Sequence, residues 1–477
     1  MEKKRRPQEG CSGDEGEIFL SHKDRTRRDF VLTGSVYNVI LTICGPIALY
    51  QSLNQIFRIL DTMMAAHIDA ISVSAVAYIS QLQLMMASVG GGLAVGGGIK
   101  IAECYGAGLY GMVKKQVNSL MVLSMAMGAA VLVGILPFTE EILRVFKTPD
   151  LLIATGANYF KLEIIAMVLG FFNNIYIAVE RARGNSKVIL HLNILMILVK
   201  LGFTAFFVYV VSGTVTMIAV ASLLSQVVVF AAGIYNLRDP KDVFGLDPRH
   251  MRMQREVVEP MLKVSFPVMV EKLAFGFGKV VVNAMATLYG TLTVGALGIS
   301  NNIGGLTTNP QNGFQDGGAA IIAQNLGAKR YRRALETVYK LLVVNVLIGV
   351  AGYVLTIAFL PQISGLFARD DTAFQQLVSS VYRYEALGAV PLGVAATVMA
   401  LLYGFGYTKL TLAINFSRVF LFRIPVLYYL QNHTDIGSRS VGIVMMVSNI
   451  AVGVLSLGVG LFVIREIMQK SREEKIA

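Results

Sequence analysis

The sequence contains little charge for its length. Asp, Glu, Lys and Arg together make up 15% of its 477 residues, whereas soluble globular chains carry about 25%. So few charged side chains cannot cover the surface of a water-soluble protein of this size. The scarcity excludes an ordinary cytosolic enzyme, a coiled coil and a disordered chain, and it favours a polytopic membrane protein.

Cysteine and histidine are also rare. The three cysteines, Cys11, Cys44 and Cys104, have neither the number nor the spacing of a disulfide framework or a metal site, and the five histidines lie far apart. The sequence contains no HExxH, no Walker A loop and no convincing GxSxG. We therefore expect no enzymatic activity, no metal and no bound cofactor, so that any transport would draw its energy from an ion gradient or from a partner.

Apolar residues make up 55% of the chain, and the mean hydropathy is +0.61. A membrane-spanning helix needs about 20 apolar residues, and twelve stretches reach that length. We therefore predict an all-α fold with twelve transmembrane helices. The predicted spans are 36–61, 73–99, 116–137, 156–179, 188–210, 214–236, 260–285, 293–325, 334–360, 376–403, 407–430 and 440–464.

The basic residues predict the orientation of these spans. The two tails and every second loop hold 29 Lys and Arg, whereas the opposite loops hold four. Because basic loops stay in the cytoplasm, both termini should be cytoplasmic. The net charge of +12 then faces an anionic membrane surface rather than a nucleic acid. The predicted parts are a flexible N-terminal tail (1–35), an N-lobe (36–236), an interlobe loop (237–259), a C-lobe (260–465) and a C-terminal tail (466–477).

The two predicted lobes are related by an internal repeat. One constant shift along the chain places Gly92 on Gly313, Gly97 on Gly318 and Gly106 on Gly327, with further matches in between. Because each unit has six helices, both enter from the same side, and the pseudo-twofold axis should run along the membrane normal. Such an arrangement suits alternating access, whereas no repeated selectivity filter indicates a channel.

Several motifs at these repeat positions resemble those of the multidrug and toxic compound extrusion (MATE) transporters, over about 36–465. They are LDTMMAAH (60–67), AVA (75–77), YGAG (105–108), RGNSK (183–187), QNLGAK (324–329) and RIP (423–425). The resemblance is to the bacterial type. It implies a twelve-helix antiporter of the inner membrane that exports organic, often cationic, compounds against inward H⁺ or Na⁺.

The resemblance also assigns an ion-coupling role in the first lobe to Asp61, which matches the family's first-helix carboxylate. An alternative is that Arg58, one turn earlier, simply pairs with it. The sequence departs from many relatives on the fifth helix, where Val199 and Phe203 replace an Asn and an Asp. Lys200 stands between them, and we predict that it acts as a counter-charge to a carboxylate, with Asp61 as a candidate partner, which favours H⁺ over Na⁺ coupling. The alternative is a lysine that extends its ammonium group to the membrane surface.

Glu271 is the ion-coupling candidate of the second lobe. A charge at membrane depth costs about 2.5–3.5 kcal/mol on insertion scales, so it needs a reason to be there. Some relatives carry a carboxylate one turn later, where this chain has Phe275, so Glu271 is a displaced match. The alternative is a structural partnership of Glu271 with Lys279 or with another helix.

An unusually polar stretch of the eighth span suggests a substrate cleft. The segment NPQNGFQDGG (309–318) places amides, glycines and an acid at membrane depth, which is tolerated where a helix lines protein or a cavity. We predict that Asn312, Gln315 and Asp316 face the central cleft, where an Asp would suit a cationic substrate. A hydrogen-bond network within the lobe is the alternative.

Two further features recur in both lobes, and we predict that they have structural roles. Lys161 and Glu163 correspond to Arg383 and Glu385, and we predict gate or structural ion pairs. The glycines at Gly106 and Gly327 should form tight helix ends, for which a missing Cβ is an advantage.

The sequence thus predicts a secondary active transporter that exports organic drugs or toxic compounds in exchange for H⁺ or Na⁺. It would be monomeric, with both termini cytoplasmic, in the cytoplasmic membrane, with a small organic substrate and membrane lipids as its partners and no nucleic acid. Two alternatives remain open. One is a flippase of lipid-linked saccharides from the same superfamily, for which Arg418, Arg423 and Lys200 would supply positive charge. The other is a membrane scaffold without transport activity.

Overall fold

The fold was analysed in a computed structural model, which describes residues 20–65, 70–145, 150–211, 214–367 and 371–476. Within its helices, the side chains of 58–82, 84, 145, 150–152, 154–155, 215, 291 and 470–476 fall outside the description. The described residues form helices and connecting turns, without a β-strand. The predicted all-α class is confirmed.

The N-lobe contains six long helices, and each overlaps one of the predicted spans. A short helix, α1, precedes them, and another, α5, lies between the third and fourth. A π-helical segment at Phe206–Val210 extends α7. The helices are α1 (His22–Thr33), α2 (Val36–Ala65), α3 (Ala70–Ala107), α4 (Tyr110–Gly134), α5 (Thr139–Val145), α6 (Asp150–Ala182), α7 (Ser186–Ala205) and α8 (Val215–Asn236).

The C-lobe repeats this order with two of its spans broken. One span is bent by 48° between α13 and α14, and another contains a π-helical segment, Ser417–Arg423, between α15 and α16. The helices are α9 (Arg255–Ala286), α10 (Thr291–Gly327), α11 (Tyr331–Ala358), α12 (Leu360–Phe367), α13 (Thr372–Ala386), α14 (Ala389–Gly404), α15 (Thr408–Phe416), α16 (Ile424–His433) and α17 (Arg439–Ile476).

The hydropathy of these helices separates two of them from the rest. In the described part of the chain, nine helices are long and apolar enough to cross a membrane, and α13 with α14 makes a tenth if the bent pair is one span. The two remaining long helices are α9 and α10. Both carry charged and amide side chains that line a cavity, so their low hydropathy reflects a protein-facing or cavity-facing surface.

Glycines pack the two lobes against each other in symmetry-related pairs. A Cβ built on Gly92 of α3 would lie 2.6 Å from the Cα of Met269 in α9, and one on Gly313 of α10 would meet the Cα of Ala48 in α2 at a similarly forbidden distance. The same shift along the chain relates both members of these contacts. The two predicted repeats therefore meet at a pseudo-twofold interface. Glycine has no side chain there, so the helix backbones can touch.

The tightest of these contacts joins the ends of α3 and α10. A Cβ on Gly106 would collide with the carbonyl oxygen of Gln324, and a Cβ on Gly327 would collide with that of Glu103. The left-handed turns come two residues later, at Gly108 (φ 79°) and Lys329 (φ 57°). The helices do end at the predicted turns, at Ala107 and Gly327, but Gly106 and Gly327 are required by the lobe contact rather than by a left-handed backbone.

Helix α1 connects the lobes at this same end of the bundle, which we call the α1 end. Arg28 of α1 donates to the carbonyl oxygens of Tyr105 (3.0 Å) and Gly106 (2.7 Å) in the N-lobe. From the C-lobe, Arg330 donates to Leu32 O (2.6 Å) and Arg333 to Val31 O (2.9 Å). These are carbonyls at the end of α1, which lack helical partners and attract cations.

The prediction of a flexible tail over 1–35 is therefore wrong for its described part. The sequence of α1 contains many charged and few apolar residues, so it lacks the apolar face by which a packed helix is predicted. Its stability comes instead from polar contacts to both lobes and from Ser21, which caps the helix by accepting from the amide of Asp24.

Candidate functional site

A large polar cavity lies in the C-lobe, and its lining includes residues of the N-lobe. We call it the C-lobe cavity, and its volume is about 620 Å³. Helices α9 and α10, the bent span and the π-helical segment supply most of its wall, and α2 supplies Gln51 and Gln55. Its charged and amide side chains include Glu271, Lys272, Lys279, Asn312, Gln315, Asp316, Glu385, Arg418, Arg423 and Asn449.

Glu271 is held in this cavity by three uncharged donors. Its side chain is 4% exposed, and its carboxylate accepts from Tyr403 Oη (2.7 Å), Thr411 Oγ1 (2.6 Å) and Asn415 Nδ2 (2.6 Å). Pro267 lies one turn earlier in the same helix. The carboxylate is thus fixed in orientation without a neutralising cation within ion-pair distance among the described residues. Such a group can take up a proton or a small cation.

Glu385 is a second buried acid of the same cavity. It belongs to α13, and its carboxylate accepts from Ser300 Oγ of α10. Arg383, two residues earlier, points to the exposed surface. Within the described residues, the predicted ion pair between Arg383 and Glu385 is therefore absent, because residues two apart on a helix face different directions.

The N-lobe contains a smaller cavity of about 430 Å³, which we call the N-lobe cavity. Glu163 lines it and accepts from Gln83 Nε2 at 2.5 Å. Lys161 lies outside the lining and makes no ion pair with Glu163 in the described structure, so this predicted pair is absent as well. The repeat-related glutamates are cavity residues in both lobes.

The predicted ion-coupling residues fall in different places. Lys200 lines the N-lobe cavity and Glu271 lines the C-lobe cavity. The side chain of Asp61 lies outside the described residues. The structure therefore does not bring Lys200 and Glu271 together, and a contact of Lys200 with Asp61 stays a prediction.

The three residues predicted for a substrate cleft do share one wall. Asn312, Gln315 and Asp316 all line the C-lobe cavity. Asp316 also faces the other lobe, since Arg181 Nη1 lies 3.5 Å and Gln51 Nε2 lies 3.4 Å from its carboxylate. Sequence reasoning missed this cross-lobe pair, because its members lie far apart along the chain and Arg181 looks like an ordinary basic loop residue.

A cluster of charged side chains lies under α1 and links three segments of the N-lobe side. Arg183 Nη2 is 2.6 Å from Asp24 in α1 and 2.7 Å from Asp242 in the interlobe loop. Its Nη1 is 3.7 Å from Glu180. Burial favours the neutral acid, but the hydrogen bonds and charge of Arg183 outweigh it, so the pKa of Asp24 lies below its usual value. Sequence reasoning missed this cluster too.

The MatE family model matches residues 46–206 and 267–429, one copy in each lobe. A probable multidrug resistance protein of Bacillus subtilis is 23% identical over 421 residues, which cover 84% of this chain and 88% of that protein. The multidrug export protein MepA of Staphylococcus aureus is 22% identical over 391 residues, covering 77% and 85%.

A solved structure of similar fold is that of an outward-facing MATE family multidrug resistance transporter. It superposes with a TM-score of 0.87 and 18% sequence identity, covering 94% of this chain and 99% of that one. The likeness extends over both lobes, which confirms the predicted twelve-helix architecture of two six-helix halves.

Proposed function

The chain belongs to the MatE family, and from this premise we propose that it is a secondary active transporter, which exports organic compounds across the cytoplasmic membrane in exchange for H⁺ or Na⁺. The family and the described helices make it a multi-pass membrane protein. Its similarity to a multidrug resistance protein and to a multidrug export protein supports drug-like molecules as cargo.

The observation that carries the exchange mechanism is the environment of Glu271. A buried carboxylate held by Tyr403, Thr411 and Asn415 is ready to bind a cation, because no side chain of the described structure already neutralises it at ion-pair distance. When a proton or Na⁺ arrives, the hydroxyl groups can rotate and the amide can turn its oxygen toward it. The bound ion then changes the hydrogen bonds that join α9 to α14 and α15.

Such a change is coupled to the lobes because α9 also forms their interface. Gly92 and Gly96 of α3 contact Met269 and Ser265, which lie within two turns of Glu271 on α9. A shift of α9 would therefore alter the contact between α3 and α9, through which the two lobes touch. We propose that ion occupancy biases the populations of two states, which differ in the side from which the cavities are open.

The experiment is gradient-driven efflux of ethidium from proteoliposomes. Transport should respond to a pH jump at constant Na⁺ or to a Na⁺ jump at constant pH, and the two jumps distinguish the ions. Glu271→Gln keeps the shape and removes the charge, so it should lower gradient-driven flux at least about tenfold, a loss of about 1.4 kcal/mol.

Glu259→Gln is the matched control, since Glu259 lies on the same helix but is exposed and pairs with Arg255 and Lys263. It should transport as the wild type does. Wild-type flux in Glu271→Gln would remove this residue from coupling. A wild-type protein that moves no ethidium under either gradient would refute the proposed exchange. Asp61→Asn tests the first-lobe acid in the same assay, with loss of flux expected.

A further inference from the structure

Two arginines face the C-lobe cavity from one short segment. Arg418 and Arg423 belong to the π-helical stretch Ser417–Arg423, and both line the cavity. Widened helical turns of this kind are frequent at functional sites. Arg423 is 2% exposed, although a guanidinium at membrane depth is costly unless something compensates its charge.

The partners of these arginines in the protein are uncharged. Arg418 Nη2 donates to Asn449 Oδ1 at 2.7 Å, and Arg423 donates to Ser448 Oγ at 3.2 Å and to Asn449 Oδ1 at 3.4 Å. No carboxylate of the described residues lies within ion-pair distance of either guanidinium. The Nε of Arg418 is buried and has no hydrogen-bond partner. A buried donor without a partner calls for an acceptor that the folded chain does not supply.

Phe275 of α9 lies close to two cationic side chains of this region. The guanidinium carbon of Arg418 lies 5.3 Å from the ring centroid of Phe275, and Lys279 Nζ lies 5.1 Å from the same centroid. The ring stabilises both cations by its face but does not neutralise them.

The described partners of the cavity's acids are groups other than Arg418 and Arg423. Among the described residues, four basic and three acidic side chains line it. Glu271 accepts from three donors, Asp316 faces Arg181, and Glu385 accepts from Ser300. The two arginines, whose described hydrogen-bond partners are all uncharged, therefore keep a positive charge that a purely cationic ligand could not compensate.

We propose that Arg418 and Arg423 form an anion-binding subsite of the C-lobe cavity, which takes the carboxylate or phosphate group of an organic ligand. Guanidinium groups suit these anions because their paired N–H donors match two oxygens at once. Asn449 holds both side chains and thereby orients the subsite. The inference rests on the proposed function, since it assumes that cargo enters this cavity, and it names the chemical group that the cargo carries.

The test compares two dyes that differ in one group. Rhodamine 110 carries a free carboxylate, and rhodamine 123 is its methyl ester. Equilibrium binding to the full-length protein in phosphatidylcholine nanodiscs is followed by fluorescence anisotropy. Arg418→Gln and Arg423→Gln should each weaken binding of the acid about tenfold or more, and that of the ester by less than about threefold.

Three further measurements make the result specific. Arg418→Lys keeps a positive charge and should retain part of the preference for the acid, which a folding defect would not do. Arg439→Gln removes an exposed arginine of the same lobe and should bind both dyes as the wild type does. Adding phosphatidylglycerol separates the sources of the anion: competition with the acid alone points to a lipid phosphate, and its absence to a soluble compound.

Arginine variants that leave the ratio of acid to ester affinity unchanged would overturn the subsite, as would a wild-type protein that binds neither dye. Because the measurement is made at equilibrium without a gradient, it is independent of ion coupling. A protein that keeps the arginine-dependent preference but shows no gradient-driven flux would refute the proposed exchange and leave the subsite standing.

Discussion

Residues 183 and 405 occupy equivalent places in the two repeats, just before glycines that both adopt a left-handed conformation, Gly184 (φ 78°) and Gly406 (φ 76°). In the N-lobe, Arg183 lies among Asp24, Glu180 and Asp242. In the C-lobe, Phe405 stands in its place and stacks on Tyr407, with ring centroids 6.5 Å apart and an interplanar angle of 8°. The duplicated backbone has thus been kept while its chemistry diverged.

The cavities show the same divergence. Glu163 and Glu385 are equivalent by the repeat and lie in the N-lobe and C-lobe cavities, respectively. Asn193 and Asn415 are also equivalent, but Asn193 donates to the carbonyl oxygen of Ile189, whereas Asn415 donates to Glu271. Equivalent glycines thus make equivalent backbone contacts in both lobes. Differences at single polar positions give each lobe its own hydrogen bonds and charges.

If the ionic cluster distinguishes the N-lobe from the C-lobe, Arg183→Gln should cause the largest loss of thermal stability. The change leaves Asp24, whose side chain is fully buried, without its main counter-charge, and breaking a buried ion pair typically costs about 3–5 kcal/mol. Thermal unfolding followed by circular dichroism in detergent should show a large drop in midpoint.

Phe405→Leu makes the corresponding change in the C-lobe. It removes a ring contact worth about 0.5–1.5 kcal/mol beyond its buried area, so it should lower the midpoint far less. Equal losses of the unfolding midpoint in the two variants would show that the ionic cluster stabilises the protein no more than the ring contact does. A wild-type midpoint in Arg183→Gln would contradict the buried pair itself.

A smaller effect is expected where the lobes are alike. Gly106→Ala and Gly327→Ala each place a methyl group against a backbone carbonyl of the other lobe, closer than the present packing allows. Overpacking of this kind costs about 1–3 kcal/mol, and the pseudo-symmetry predicts similar losses of thermal stability in the two variants.

Gly298→Ala is the matched control on α10, since nothing lies within 4 Å of a Cβ there. It should be neutral or stabilising by up to about 1 kcal/mol, because alanine favours a helix interior. If only one of the two interface variants were destabilised, the contact at the α1 end would not be shared equally by the lobes.

These glycines also show which features of the fold could be predicted from the sequence. The repeat predicted that Gly92, Gly97 and Gly106 have counterparts, because a constant shift along the chain needs only the linear order. The roles of these positions needed the structure: Gly97 and Gly318 pack within their own lobes on Leu120 and Leu341, whereas the other two pairs cross between lobes. Sequence spacing cannot distinguish these cases.

The site was predictable where acidic side chains lie inside predicted membrane spans. Glu271 and Asp316 were found in this way, because charge at membrane depth is conspicuous. Arg181 and Arg183 were missed, because basic residues near a span end are ordinary and their acidic partners lie far away in the sequence. Helix α1 was missed for a related reason, since it is held by arginines that donate to main-chain carbonyls.

The smallest predicted effect is a pH dependence that the N-lobe cluster should have. Because the folded pKa of Asp24 lies below its ordinary value of 3.8, the stability that Asp24 contributes is fully present above about pH 4 and is lost as the pH falls through the folded pKa. The thermal midpoint of the wild type should therefore fall on acidification from about pH 5 to pH 3, more steeply than that of Asp24→Asn. Asp435→Asn, which alters an exposed acid of the C-lobe, should keep the wild-type slope. Parallel slopes in the wild type and Asp24→Asn would mean that Arg183 does not favour the charged form of Asp24, and the ionic difference between the lobes would then lose its thermodynamic basis.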